Sequence, residues 1–140
     1  MCCRNEPKLA KKLYRRIKKG KVKFYKIYTV YKVYKSFITL SLYSPIMYTH
    51  VNINNPGIVK SNSNVKNTTK YRDKYERVER GIHVYENKKI AEQNKYNRND
   101  KVFEVKVKAE DLLAYNYKEC HAVFTKIEIP EKEWNRIIDN

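Results

Sequence analysis

The sequence predicts an α+β fold. It reads as a single domain with a mainly antiparallel sheet of five or six strands, and N- and C-terminal helices packed on one face. Three observations lead there. Lys21 to Tyr43, KVKFYKIYTVYKVYKSFITLSLY, is the longest run of β-forming residues and supplies the central strands. Amphipathic helical patterns stand near both ends of the chain, around Leu9 to Ile17 and Trp134 to Ile138. Between them, short alternating runs are separated by turn residues, as in an antiparallel sheet with one solvated face. At 140 residues the chain fits one domain, 1–140, with residues 1–5 as a flexible tail and 61–70 as an exposed loop.

Asn5 is placed to cap a first helix, with Glu6 and Pro7 in its opening turn. Leu9, Leu13 and Ile17 recur every four residues up to Lys19, seven lysines and arginines occupy the other faces, and Gly20 ends the helix. From Val22 the period changes to two. Val22 and Phe24 share one face, then Tyr25, Ile27, Thr29, Tyr31 and Val33 the other, which calls for a bulge near Phe24–Tyr25 or a strand aromatic on both faces. The lysines of this strand predict that one face meets solvent. Phe37 to Tyr43 forms a second strand, by a hairpin or a bend.

Met47 to Ile53 reads as an edge segment, and Asn52 to Gly57 as a turn. Tyr71 to Arg80 reads as a short helix or a polar strand, leading into a strand at Gly81 to Tyr85. Asn87 caps a helix over Lys88 to Gln93. Lys101 to Lys108 alternates with Phe103, Val105 and Val107 inward. Glu110 to Tyr115 reads as a short helix and Cys120 to Ile129 as a strand. Pro130 then opens the closing helix with its stripe of Trp134, Ile137 and Ile138.

Charge is the main functional signal. Lys plus Arg number 31 against 15 acids, a net +16. Residues 1–60 hold 11 Lys and 3 Arg against the single acid Glu6, giving +13, and the remaining 80 residues contribute +3. Such asymmetry points to a polyanionic partner, although codon bias toward Lys, Asn and Tyr also enriches lysine. Cys2, Cys3 and Cys120 are an odd set without paired spacing, which predicts a reducing compartment. Neither a membrane-length apolar run nor a signal peptide is read, so secretion is not expected.

Motif chemistry is sparse. With three glycines, and with no glycine-rich phosphate loop, zinc spacing or nucleophile elbow, no catalytic residue, cofactor or metal is expected. His50, His83 and His121 are too far apart in sequence to form a metal motif, and His83 reads as a surface strand histidine. Tyrosine interleaved with lysine has more content. Tyr25, Tyr28 and Tyr31 would offer rings to bases, while Lys23, Lys26, Lys32 and Lys35, with Arg15 and Arg16 on the helix, would neutralise phosphates. His83 and Tyr85 are candidate pocket residues.

VYKVYKSFITLSLYSP, RGIHVYENKKIAEQ and KVFEVKVKAEDLLAY are similar to segments of small uncharacterised α+β domains of bacteriophages and large DNA viruses, over residues 22–129. The same order faintly resembles part of ADP-ribosyltransferase folds, where a strand like GIHVY precedes a helix carrying an alanine like Ala91, but the Ser-Thr-Ser strand and the Glu-x-Glu motif are missing. The resemblance implies viral provenance, a compact domain and a place in the host cytoplasm or nucleus or in the virion; it hands over no catalytic residues. The expected function is therefore non-enzymatic binding of a phosphate-rich partner, nucleic acid first. A structural virion or interaction component, self-associating or contacting acidic protein, is the second reading; a small nucleotide-binding or ADP-ribosyl-transferring protein is the third.

Overall fold

The computed structural model describes residues 3–34, 37–41, 53, 55–61, 72–73, 75, 77–78, 81–96 and 98–138, with 31–34, 37–41 and 77 described by their backbone. In chain order the elements are β1 (Cys3–Arg4), α1 (Pro7–Lys18), β2 (Phe24–Tyr34), β3 (Phe37–Ser41), β4 (Gly57–Lys60), β5 (Arg77–Val78), β6 (Ile82–Tyr85) and α2 (Lys88–Gln93). There follow β7 (Asp100–Val105), a 3-10 turn (Ala109–Asp111), β8 (Leu112–Asn116), β9 (His121–Phe124), β10 (Lys126–Ile129) and α3 (Glu131–Ile138). The predicted α+β class with a mainly antiparallel sheet is the fold found. Among the described residues, no helix is long and apolar enough to cross a membrane.

Six strands make the main sheet, in the order β3-β2-β6-β9-β8 with β7 also on β2. β7 pairs with the first half of β2, from Phe24↔Val105 to Thr29↔Asp100. β3 pairs with the second half, closing a hairpin. β6 meets β2 through Tyr25↔Tyr85 and then follows β9 from Ile82↔Phe124 to Tyr85↔His121. Two small antiparallel pairs, β1–β5 and β4–β10, lie outside this sheet.

Both faces of the sheet are covered. α1 contributes Ala10 and Leu13, and α3 contributes Trp134 and Ile138, to one core with Phe24, Tyr28, Phe103 and Phe124. Edge-to-face ring contacts organise it, with centroids 5.2 Å apart for Phe24–Phe124 and 5.5 Å for Tyr28–Phe103. On the other face Ala91 of α2 packs on Ile27 and Val102, flanked by Tyr25 and Tyr85. Cys3 and Val78, from β1 and β5, cover Leu113, Ala114 and Val123.

Several expectations change. β2 has no solvated face in its first half: Phe24, Lys26 and Tyr28 on one side, and Ile27 and Thr29 on the other, are all buried. Its pairing with β7 is unbroken through Phe24–Tyr25, so the strand is aromatic on both faces and the bulge is not needed there. Leu112–Asn116 is a strand rather than a helix. Leu112, Leu113, Ala114 and Tyr115 are buried without interruption, a pattern shared by a two-face-buried strand and a buried helical turn. The single strand expected over 120–129 is two, because at Thr125 the backbone N–H turns to donate to Asp111 O at 2.9 Å. β4 was not anticipated at all. Lys35, Met47 and most of 61–70 lie outside the described residues.

The segment from Cys3 to Glu6 is fastened rather than loose. Asn5 is fully buried instead of capping α1, whose N-cap is Glu6. Its Nδ2 donates to Arg72 O at 2.7 Å, and its Oδ1 accepts from Tyr115 N at 3.0 Å. Glu6 N then donates to Tyr115 O at 3.0 Å. The segment thereby satisfies backbone groups on the outer edge of β8, which an uncovered edge strand would leave unpaired. At the other end of α1, Gly20 adopts φ 69° and its N–H donates to Ile17 O, closing the helix as expected.

Gly81, at the entry to β6, has φ 126°, and a Cβ there would lie 2.5 Å from Val123 Cγ1 and 3.2 Å from Phe124 O. Gly81→Ala therefore combines backbone strain with a core clash and should destabilise the fold by about 2–4 kcal/mol. Urea unfolding will measure it. A change below about 0.5 kcal/mol, the range of surface substitutions, would contradict this packing.

Candidate functional site

The most strongly charged described surface is the outer side of α1. Its apolar stripe faces the core, which leaves Lys8, Lys11, Lys12, Arg15, Arg16 and Lys18 exposed, with Lys19 following in the cap. There is no acid within the helix. Only Arg16 among these finds an ion-pair partner in the described residues, Glu86 at 3.0 Å. That pair has a structural role, since Glu86 Oε2 also accepts from the Tyr115 hydroxyl at 2.5 Å. Burial, and after it the Glu86 carboxylate, raises the Tyr115 phenol above its ordinary pKa.

Beside this face lies an open groove of about 230 Å³, lined by Ala10, Lys11, Tyr14, Arg15, Arg72 and Asp73. The Arg72 guanidinium lies over the Tyr14 ring, 4.7 Å from its centroid, and Nη1 donates to Ala109 O at 3.3 Å. Lys18 Nζ is also 4.7 Å from the same centroid. Among the described lining residues, three cations stand against one carboxylate, which makes this side of the groove electropositive. A second groove of similar size, between β10 and Val107, sets Lys106, Lys108 and Lys126 against Asp111 and Glu128 and is more nearly balanced.

The residues expected to bind phosphate or bases separate into distinct groups. Arg15, Arg16 and Lys23 are exposed, although Lys23 lies 3.6 Å from Glu104. Lys26 and Tyr28 are buried and offer nothing to a surface ligand, because β2 is covered on both faces by α1, α3 and α2. Tyr25 is half-buried against the α2 core. Tyr31 and Lys32 belong to β2 by their backbone, with side chains outside the description, and Lys35 lies outside the described residues. Lys11, Tyr14 and Arg72 were not anticipated as a group. Arg72 reaches α1 across 57 residues of chain from Arg15, a separation that no local pattern reports.

His83 and Tyr85 do come together, with an unanticipated third member. His83 Nδ1 lies 2.7 Å from His121 Nε2, and the two imidazoles stack at 4.7 Å between centroids. Tyr85 stacks on His121 at 5.9 Å. His121 is buried, its Nδ1 has no hydrogen-bond partner, and Glu119 Oε2 stands 3.7 Å from that nitrogen. Burial first, then the neighbouring His83 and Lys26, pull the His121 pKa down to about 3, so the ring is neutral and the pair shares one imidazole proton. Lys26 Nζ donates to His83 O at 2.9 Å, and burial pulls its pKa from 10.5 to about 7. His83 is thus part of a half-buried polar cluster rather than a surface strand histidine.

The chain matches no protein-family model, no curated protein and no solved structure.

Lys26 sets a testable pH dependence. Its folded pKa is depressed, so between about 7 and 10.5 the unfolded chain binds the extra proton and stability rises with pH. The slope can reach about 1.4 kcal/mol per pH unit. The Cys3 thiol, pushed by burial from 9.0 to about 12, opposes this once the pH passes 9. Urea unfolding between pH 7 and 9 should therefore show rising stability in the wild type and a flat profile in Lys26→Met. Equal slopes in the two proteins would remove Lys26 as the cause.

Proposed function

We propose that the chain binds a phosphate-rich polymer, nucleic acid first, through the outer face of α1. The supporting observation is a helix that exposes six lysines and arginines with no acid of its own. The helix is about 18 Å long at 1.5 Å per residue, which matches roughly five base steps at 3.4 Å. Binding proceeds by displacement of condensed counterions, so affinity is governed by salt and by phosphate number. Base identity contributes little, because Tyr28 is buried and Tyr25 is engaged in the second core. Stacking of bases on Tyr25 and Tyr28 is accordingly not part of this function.

Fluorescence anisotropy with a labelled 20-nucleotide strand and its duplex, across a salt series, tests this reading. With about four to six phosphates engaged, affinity should fall on the order of a hundredfold or more between 50 and 200 mM salt. A Lys12→Glu/Arg15→Glu double variant should lose most of the binding while keeping its thermal stability, since both residues are exposed. Absence of binding by the wild type at low salt would dispose of the proposal.

A further inference from the structure

The groove beside α1 is more defined than a row of surface charges. We propose that Lys11, Arg15 and Arg72 form a subsite for one internal backbone phosphate of the bound nucleic acid, which fixes where the strand crosses α1; this rests on the α1 reading above.

Four features converge on that ligand. Lys11 and Arg15 are one helical turn apart, so both side chains project from one side of α1 into the groove that Arg72 closes from the opposite wall. Arg72 is positioned before any ligand arrives. Its backbone carbonyl is held by the buried amide of Asn5, and its guanidinium is held by Ala109 O and the Tyr14 ring. A guanidinium already fixed loses little rotamer freedom on binding, and its planar fork suits phosphate oxygens. Among the described residues the lining sets Lys11, Arg15 and Arg72 against Asp73, and Lys18 and Arg72 both lie over the Tyr14 ring, so the local charge favours an entering phosphate. Finally, about 230 Å³ holds a phosphate with part of its sugar, and the open form lets a strand enter and leave.

The test measures a labelled 12-nucleotide single strand across a salt series against the wild type, Lys11→Ala, Arg15→Ala, Arg72→Ala, Arg72→Lys and the peripheral Lys19→Ala. Each alanine change in the groove should weaken binding about tenfold and reduce the salt slope by about one, whereas Lys19→Ala weakens it about twofold or less. Arg72→Lys should recover the slope but not the affinity, because an ammonium keeps the charge and loses the planar fork. A set of strands carrying one neutral methylphosphonate each should show one internal position of dominant loss. Equal losses at Lys11, Arg15 and Lys19 would overturn the subsite and leave the α1 face standing as a uniform row. A preference confined to strands with a 5′-phosphate would overturn the internal assignment. Failure of the wild type to bind would remove both. Lys11 and Arg15 are exposed, so their variants decide the matter even if Arg72→Ala loosens the packing around it.

Discussion

Where β2 and β6 part company, the amine of Lys26 donates to the carbonyl of His83, and much of the interior is arranged around that bond. β2 carries β7 along one half and β3 along the other, and it meets β6 through the Tyr25↔Tyr85 pair. An apolar side chain in place of Lys26 would fill the splay without this bond, a loss of about 0.5–1.5 kcal/mol. A lysine is long enough to cross the gap and supplies the donor. Burial pulls its pKa down to about 7, so the amine gives up its proton near neutral pH far more readily than a surface lysine, which lessens the penalty of a buried ion.

The polar cluster continues from there into the sheet. His121 and His83 share a hydrogen bond, while His121 Nδ1 and the Tyr28 hydroxyl are buried without a partner. These groups lie at the junction of the fold's two faces, where Tyr85 stacks on one ring and Phe103 meets Tyr28 edge-on. A purely apolar junction would be cheaper. Stability is recovered on either side of it, through the aromatic contacts beneath α1 and α3 and the smaller apolar clusters opposite. That recovery matters in a chain of net charge +16, where unpaired surface cations oppose compaction.

Local pattern and tertiary setting divided the sequence's legibility. Segments with one strong period were readable: α1 from Leu9, Leu13 and Ile17, α2 from its Asn87 cap, whose Oδ1 accepts from Ile90 N, and β7 from Phe103 and Val105. Leu112 to Tyr115 misled because four buried residues in a row have no period to read. β2 misled through its lysines. A lysine on a strand ordinarily marks solvent, and nothing near Lys26 in sequence reveals the carbonyl of His83 that it reaches. The candidate groove was half visible. Arg15 announces itself on a basic helix, whereas Arg72 joins it through long-range contacts with Asn5, Tyr14 and Ala109.

Asn5 therefore links the basic face to the architecture. One amide holds the edge of β8 through Tyr115 N and the chain at Arg72 through its carbonyl, and both bonds lie within the turn that launches α1. An asparagine can do this because it offers a donor and an acceptor at once, and full burial removes water as a competitor for either. Leucine would fill the space and alanine would leave a gap, and neither supplies the donor or the acceptor that the amide offers; aspartate would accept from Tyr115 and repel the carbonyl of Arg72. The consequence extends past stability. Lys11 and Arg15 are placed by α1, Arg72 by its contacts with Asn5, Tyr14 and Ala109, and Asn5 ties Arg72 to the start of the helix. Conditions or substitutions that release Asn5 would leave every surface charge present and still dissolve the groove.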